Sequence, residues 1–392
     1  MTASETSTNT SETGRLAGLD LLRLLAVLLV LGCHMEALPE GWNSPLRPLA
    51  REWIDNGARG VDLFFVLSGF LVSGLLFSEY RKRNEVSLSR FYARRAWRIY
   101  PPFFVLIGVT LLHARYALNW TPPKEWVLAE VFFLQSYLQG LWNHTWTLAV
   151  EEHFYLVMPL LLAAMMWKKR GAANPFRAVP WFVGAVLVAG TATRLMNWNV
   201  RTEFSYYTHI FHTHLRIDSL FFGTLVAYVY HFHAETFRRI AHPLRFVLIV
   251  VGVTLLFSRS FITMSIAYLA TFGFAQCYVG SAALMIGVLM CEIPKNRVIA
   301  WLAMLGTYSY SIYLWHMTVM QWALPKMHGS VSWPLRQALY MAAAFIIGLA
   351  MAKIVEAPVL KLRDRWHPSR TTGNAVVRPT PPSEAAPLQQ AA

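Results

Sequence analysis

Arg23 and His34 stand eleven residues apart in LDLLRLLAVLLVLGCHM, residues 19–35, a stretch that is almost wholly apolar apart from them and Asp20. Eleven residues of helix rise about 16 Å and complete about three turns, so the two side chains share a face. A neutral imidazole is a natural general base near pH 7, and a guanidinium is a permanent cation suited to phosphate or carboxylate. The plainer alternative is that Arg23 snorkels to one membrane surface and His34 sits at the other. An ionisable group at mid-membrane costs roughly 2.5–3.5 kcal/mol on insertion scales, which makes each one a functional candidate.

Four more segments carry such groups. In RGVDLFFVLSGFLVSGLLF, 59–77, Asp62 lies in the first helical turn, where the helix dipole favours a carboxylate. Ser68, Gly69, Ser73 and Gly74 follow, and the glycines read as close helix packing. In SRFYARRAWRIYPPFF, 89–104, Arg90, Arg94 and Arg98 recur every four residues with Arg95 beside them. Like charges on one face repel unless an anion joins them, so an anionic lipid or a polyphosphate ligand fits; simple interfacial charge is the alternative. WNHTWTLAVEEHFYLVMPLL, 142–161, holds Glu151, Glu152 and His153, expected at the outer end of a span in the same half of the membrane as His34. A carboxylate there can orient an imidazole or bind an acceptor hydroxyl. YYTHIFHTHLRIDSLFFGTLVAY, 206–228, holds His209, His212, His214, Arg216 and Asp218. His214 and Asp218 are four residues apart, but no tight histidine pair or clear set of hard ligands accompanies them. No metal is therefore assigned, and an Arg216–Asp218 polar pair is expected at a helix start. His316 in YSYSIYLWHM and Glu356 in VEAPVL complete the set.

The elements that hold these residues follow from composition. The chain of 392 residues is 55% hydrophobic and 14% charged, where soluble domains carry about 25% charged residues. Its 15 Trp and 16 Tyr suit the membrane–water boundary. The net charge of +14 does not point to nucleic acid, because the basic residues sit in short clusters between apolar runs. Cys33, Cys277 and Cys291 show neither zinc spacing nor a disulfide framework. The first 18 residues are Ser/Thr-rich with one basic residue, Arg15, and no small-residue cleavage site follows the first apolar run, so that run is expected to be retained as a helix.

A span needs about 20 mostly apolar residues. Ten candidates are 17–38, 60–79, 98–115, 146–166, 179–196, 214–232, 244–258, 263–290, 298–320 and 334–355. With ten spans both termini share a side, and that side carries 23 Lys and Arg against 11 on the other, Arg23 lying inside the first span. The richer side is expected to be cytoplasmic. The predicted fold is therefore all-α: a polytopic helix bundle of about ten transmembrane helices with both termini cytoplasmic, in the cell membrane. Residues 1–16 are expected to be a disordered tail, 17–360 the membrane domain, and 361–392 a basic and then disordered tail. No soluble domain is expected.

Taken together, the R-x10-H of the first span, GVDLFFVLSGFL, RFYARRAWRIYPPFF, WTLAVEEHFYL, LRIDSLFFG and YSYSIYLWH resemble, in order and rough spacing, the motifs of the acyltransferase 3 family. The resemblance covers about residues 17–360. Members are integral-membrane acyltransferases, often O-acetyltransferases of surface polysaccharide, peptidoglycan or glycosylated natural products. The resemblance implies His34 as catalytic base or transient acyl carrier, with Arg23 its partner in R-x10-H. It implies Arg94, Arg95 and Arg98 at an acyl-CoA donor, expected to be acetyl-CoA, and Glu151 as the first glutamate of the family's W-S-L-x-V-E-x-Q-F-Y pattern. His153 stands where that pattern has glutamine and Thr147 where it has serine. The SGNH-type hydrolase domain of some members is not expected on this chain.

The expected partners are acyl-CoA as co-substrate, with no permanently bound cofactor, a carbohydrate or glycosylated acceptor, and the lipid bilayer. Asp62, Ser68, Arg216, Asp218 and His316 are candidate substrate-binding residues; Arg23 is counted with the donor site, and Glu151 with His34 in catalysis. A transporter or channel is the competing class; repeat symmetry or broken helices would favour it, and neither is evident in the sequence.

Overall fold

A backbone group without an internal partner costs several kcal/mol in hydrocarbon, so apolar runs of this length have to fold as helices. A computed structural model describes residues 3–169, 172, 174–201, 203–260 and 262–368, with the side chains of 3–16 and 259 outside the described set. Among the described residues there are helices and no strands.

The first run is α1, Ala3–Cys33. A short α2, Arg47–Asn56, leads to α3, Arg59–Arg83, and then to α4, Leu88–Tyr116, which runs unbroken through Pro101 and Pro102. α5, Lys124–Val131, and a 3-10 turn at Asn143–Thr145 precede α6, Trp146–Lys168. α7, Val179–Val200, α8, Ile217–Phe232, α9, Ala234–Ala241, and α10, Arg245–Leu256, follow. α11, Ile266–Ala270, α12, Phe272–Leu289, α13, Arg297–Thr307, and α14, Ser309–Thr318, come next. α15, Trp333–Met351, and α16, Ala357–Trp366, close the bundle.

Among the described residues six helices are long and apolar enough to cross a membrane, or eight if each of two bent pairs counts as one span. The chain is a multi-pass membrane protein. Two expected spans differ in form. The run 263–290 divides at Thr271 into α11 and α12. The run 298–320 bends by 62° between α13 and α14. Neither break is marked by proline. The expected tails fall on residues 1–16, of which only the backbone from Ala3 is described, and on 361–392, of which 369–392 lie outside the described residues.

Small residues bring α3 and α8 together, as the 59–77 pattern implied. A Cβ on Gly69 would lie 1.9 Å from the Leu220 carbonyl oxygen, and one on Gly223 would lie 2.3 Å from that of Val66. The Ser73 and Thr224 hydroxyls hydrogen-bond across the same seam at 2.7 Å. One core centres on α3, α6, α8 and α12, with Phe70, Phe77, Phe154 and Met285. A second centres on α1, α4, α14 and α15, with Val30, Phe103, Ile312 and Tyr340.

Candidate active site

A cavity of about 480 Å³ opens between α1, α3, α4, α6 and α14. Arg90, Arg94, Arg95 and Arg98 line it from α4 and Arg23 from α1, with Arg363 from α16. The four-residue spacing on α4 is what gathers its arginines on one wall. Arg23 is held by Asp20, Nη1 to Oδ1 at 2.7 Å. Arg95 lies 4.4 Å above the Tyr155 ring. Glu151 and Ser68 line the same cavity, and the Ser68 hydroxyl donates to Glu151 Oε1 at 2.6 Å.

This is not where the sequence put Glu151. The sequence reading places it at the outer end of a span in the same half of the membrane as His34, whereas it shares a cavity with the arginines. The segment before α6 explains the difference: Trp142, His144 and Thr145 are buried, so α6 starts inside the bundle and carries Glu151 deeper still.

Thr147 and Tyr313 also line the cavity, whereas His34 and His316 do not. The Tyr313 hydroxyl donates to the His144 carbonyl at 2.7 Å and accepts from the Thr147 hydroxyl at 2.6 Å. Behind this contact three imidazoles cluster. The rings of His34 and His316 are 5.0 Å apart, and those of His144 and His316 are 5.1 Å apart. His34 Nδ1 is 2.9 Å from the Val30 carbonyl oxygen, which can only accept. The hydrogen-bond network therefore assigns the proton to Nδ1 and leaves Nε2 a bare base. His316 repeats the pattern, with Nδ1 2.5 Å from the Tyr313 carbonyl and its bare Nε2 3.4 Å from His34 Nδ1. His144 is the opposite tautomer, because its Nε2 lies 3.2 Å from the Leu314 carbonyl. The backbone thus orients His34 and His316 behind a polar cavity that has one positive wall.

Residues 16–353 match the acyltransferase domain of the acyltransferase 3 family. The chain belongs to that family. It is similar to the peptidoglycan O-acetyltransferase OatA of Listeria monocytogenes, 26% identical over 376 residues that cover 88% of this chain and 55% of the relative. It is similar also to the O-acetyltransferase OatA of Staphylococcus aureus, 27% identical over 331 residues that cover 77% of this chain and 50% of the relative. The chain thus spans about half the length of the curated relatives it matches. No solved structure matches it.

In this acyltransferase 3 chain the remaining candidates separate into two groups. Ser68 and His316 join the site as described. Asp62, Arg216 and Asp218 do not line the cavity. The expected Arg216–Asp218 pair is replaced by two others: Arg216 Nη2 meets Asp62 Oδ1 at 2.7 Å, and Arg194 Nη1 meets Asp218 Oδ2 at 2.8 Å. Asp218 lies in the first turn of α8, which faces α7, and that brings its carboxylate to Arg194. Arg216, just before the helix, turns to α3 and stacks on Phe274 at 4.1 Å. Among the described residues no group of three or more His, Cys, Asp or Glu has the geometry to hold a metal ion.

Three residues outside the candidate set also make contacts that matter here. His144 stands in WNHTWTLAV, a few residues before Glu151 and Glu152. Arg194 is the one charged residue of the run 179–196, and that isolation was the available signal. Glu36, two residues after His34, accepts from Arg336 Nη2 at 2.6 Å and from Gln337 Nε2 at 3.0 Å, which ties the turn after α1 to α15. Nothing local in the sequence links positions 300 residues apart.

Proposed function

We propose that this chain is an integral-membrane O-acyltransferase that moves an acetyl group from cytoplasmic acyl-CoA to a hydroxyl of a carbohydrate or glycosylated acceptor. One observation carries the reading: Thr147 and Tyr313 line the same cavity as the arginines, and the Tyr313 ring is 5.5 Å from that of His316, which faces His34. Phosphates of the donor suit a wall of guanidiniums, which bind such groups in a bidentate fork. The pantetheine arm would carry the thioester inward past Glu151, and Thr147 and Tyr313 must part to let it reach His34.

His34 Nε2 then takes the proton of the acceptor hydroxyl. The oxygen attacks the thioester carbonyl carbon, the C–O bond forms, the C–S bond breaks, and the thiolate leaves as the free thiol after receiving the proton from His34. Ser68 holds Glu151 in the donor cavity, so the carboxylate acts on the donor side of the reaction in this scheme. Ten crossings with both termini cytoplasmic, in the cell membrane, belong to the same reading, because they put the arginine wall on the side where acyl-CoA is made.

The experiment is transfer of labelled acetyl from acetyl-CoA by the purified chain to muropeptides and polysaccharide fragments. Wild type should label an acceptor and His34→Ala should lose activity by about 10²–10⁴-fold, the contribution of a positioned general base. Equal transfer by the two proteins would remove His34 from the mechanism.

A further inference from the structure

One wall of the cavity lies outside the family's domain. The match ends at residue 353, and α16 follows it. The apolar helix from Trp333 to Trp366 is 34 residues long, well over the about 20 needed to span, so its far end extends beyond the bilayer. There α16 lies across the arginine face of α4. Trp366 packs edge-on against Trp97 with ring centroids 5.3 Å apart. Arg94 donates to Asp364 Oδ1 at 3.1 Å and to the His367 carbonyl, and Arg90 donates to the Pro368 carbonyl at 2.5 Å. Arg363 lines the cavity with the arginines of α4. It also donates to both carboxylate oxygens of Asp364, at 3.0 and 3.1 Å.

Asp364 is thus an anion bridging two arginines at the cavity wall. Its side chain is 52% exposed, and ion pairs this open to water are weak. A phosphate offers the same fork geometry with more charge and more acceptor oxygens, so it can replace the carboxylate on both guanidiniums.

We infer that α16 completes the donor site: Arg363 is a phosphate-binding residue, and Asp364 is a resident counter-anion that holds Arg363 and Arg94 in position and yields them to the donor. This rests on the acyl-CoA reading above. The test titrates coenzyme A calorimetrically onto the full chain in nanodiscs of phosphatidylcholine, where no anionic headgroup competes. Arg363→Ala should raise Kd about tenfold, the scale of one lost charge-assisted contact. Arg363→Lys should fall between it and wild type. Asp364→Asn should lower Kd, a gain that misfolding cannot produce. Wild-type Kd in both Arg363→Ala and Asp364→Asn overturns the role of α16 and leaves the donor cavity standing. Weaker binding in Asp364→Asn overturns the counter-anion. No binding by wild type overturns this inference and the donor reading together.

Discussion

A guanidinium sealed inside a helical bundle has to be matched within a few ångströms, and Arg216 is matched by Asp62 at 2.7 Å and by the Phe274 ring at 4.1 Å. Both members of the pair are almost wholly buried, at 3% side-chain exposure each. Removing one partner leaves an unpaired buried charge, at a cost of roughly 3–5 kcal/mol, whereas replacing both by neutral groups of similar shape is often tolerated. Arg216→Met should therefore lower the melting temperature sharply in detergent, and the double change Asp62→Asn with Arg216→Met should recover most of the loss. A double variant that melts no higher than the single one would mean that Arg216 does more than balance Asp62. At this scale the residue types were legible and their pairings were not. An intramembrane aspartate or arginine announces itself against an apolar background, but which cation meets which anion depends on how α3, α7 and α8 pack.

Helix packing decides those pairings, and its clearest local cause is glycine. Gly69 lies on α3 where a Cβ would stand 1.9 Å from a carbonyl of α8, while Gly108 on α4 has nothing within 4 Å of the same position. Gly69→Leu has to push the two helices apart and should abolish the folded, monodisperse fraction seen by size-exclusion chromatography. Gly108→Ala should leave that fraction unchanged. If both variants behave alike, the α3–α8 seam is not what makes Gly69 necessary. The small residues of 59–77 carried this contact in the sequence itself. The break between α13 and α14 was not legible in the same way. A Cβ on Gly306, just before it, would lie 1.8 Å from the Asp20 carbonyl oxygen. The close approach of α1 shapes this region, and a partner nearly 300 residues away leaves no mark in the local pattern.

The whole molecule poses the question of how many times the chain crosses. The weakest crossing is α10, with 12 residues, which rise about 18 Å against a hydrocarbon core of about 30 Å. It also joins α9 at a 79° bend. Were this pair re-entrant, every later segment would change sides, and the basic residues would divide 18 against 16 in place of 23 against 11. That nearly even split would leave the chain without an orientation signal, since excess Lys and Arg in short loops is what holds a loop in the cytoplasm. The charge distribution therefore argues that α9 and α10 together cross. Single cysteines can decide it, in a chain whose Cys33, Cys277 and Cys291 are first replaced by alanine. An impermeant maleimide added to intact cells should label Lys124→Cys and Ser330→Cys, and should label Glu85→Cys and Glu292→Cys only after lysis. Labelling of Glu292→Cys but not of Ser330→Cys in intact cells would make the α9–α10 pair re-entrant, and would contradict the packing of α16 on the arginine face of α4.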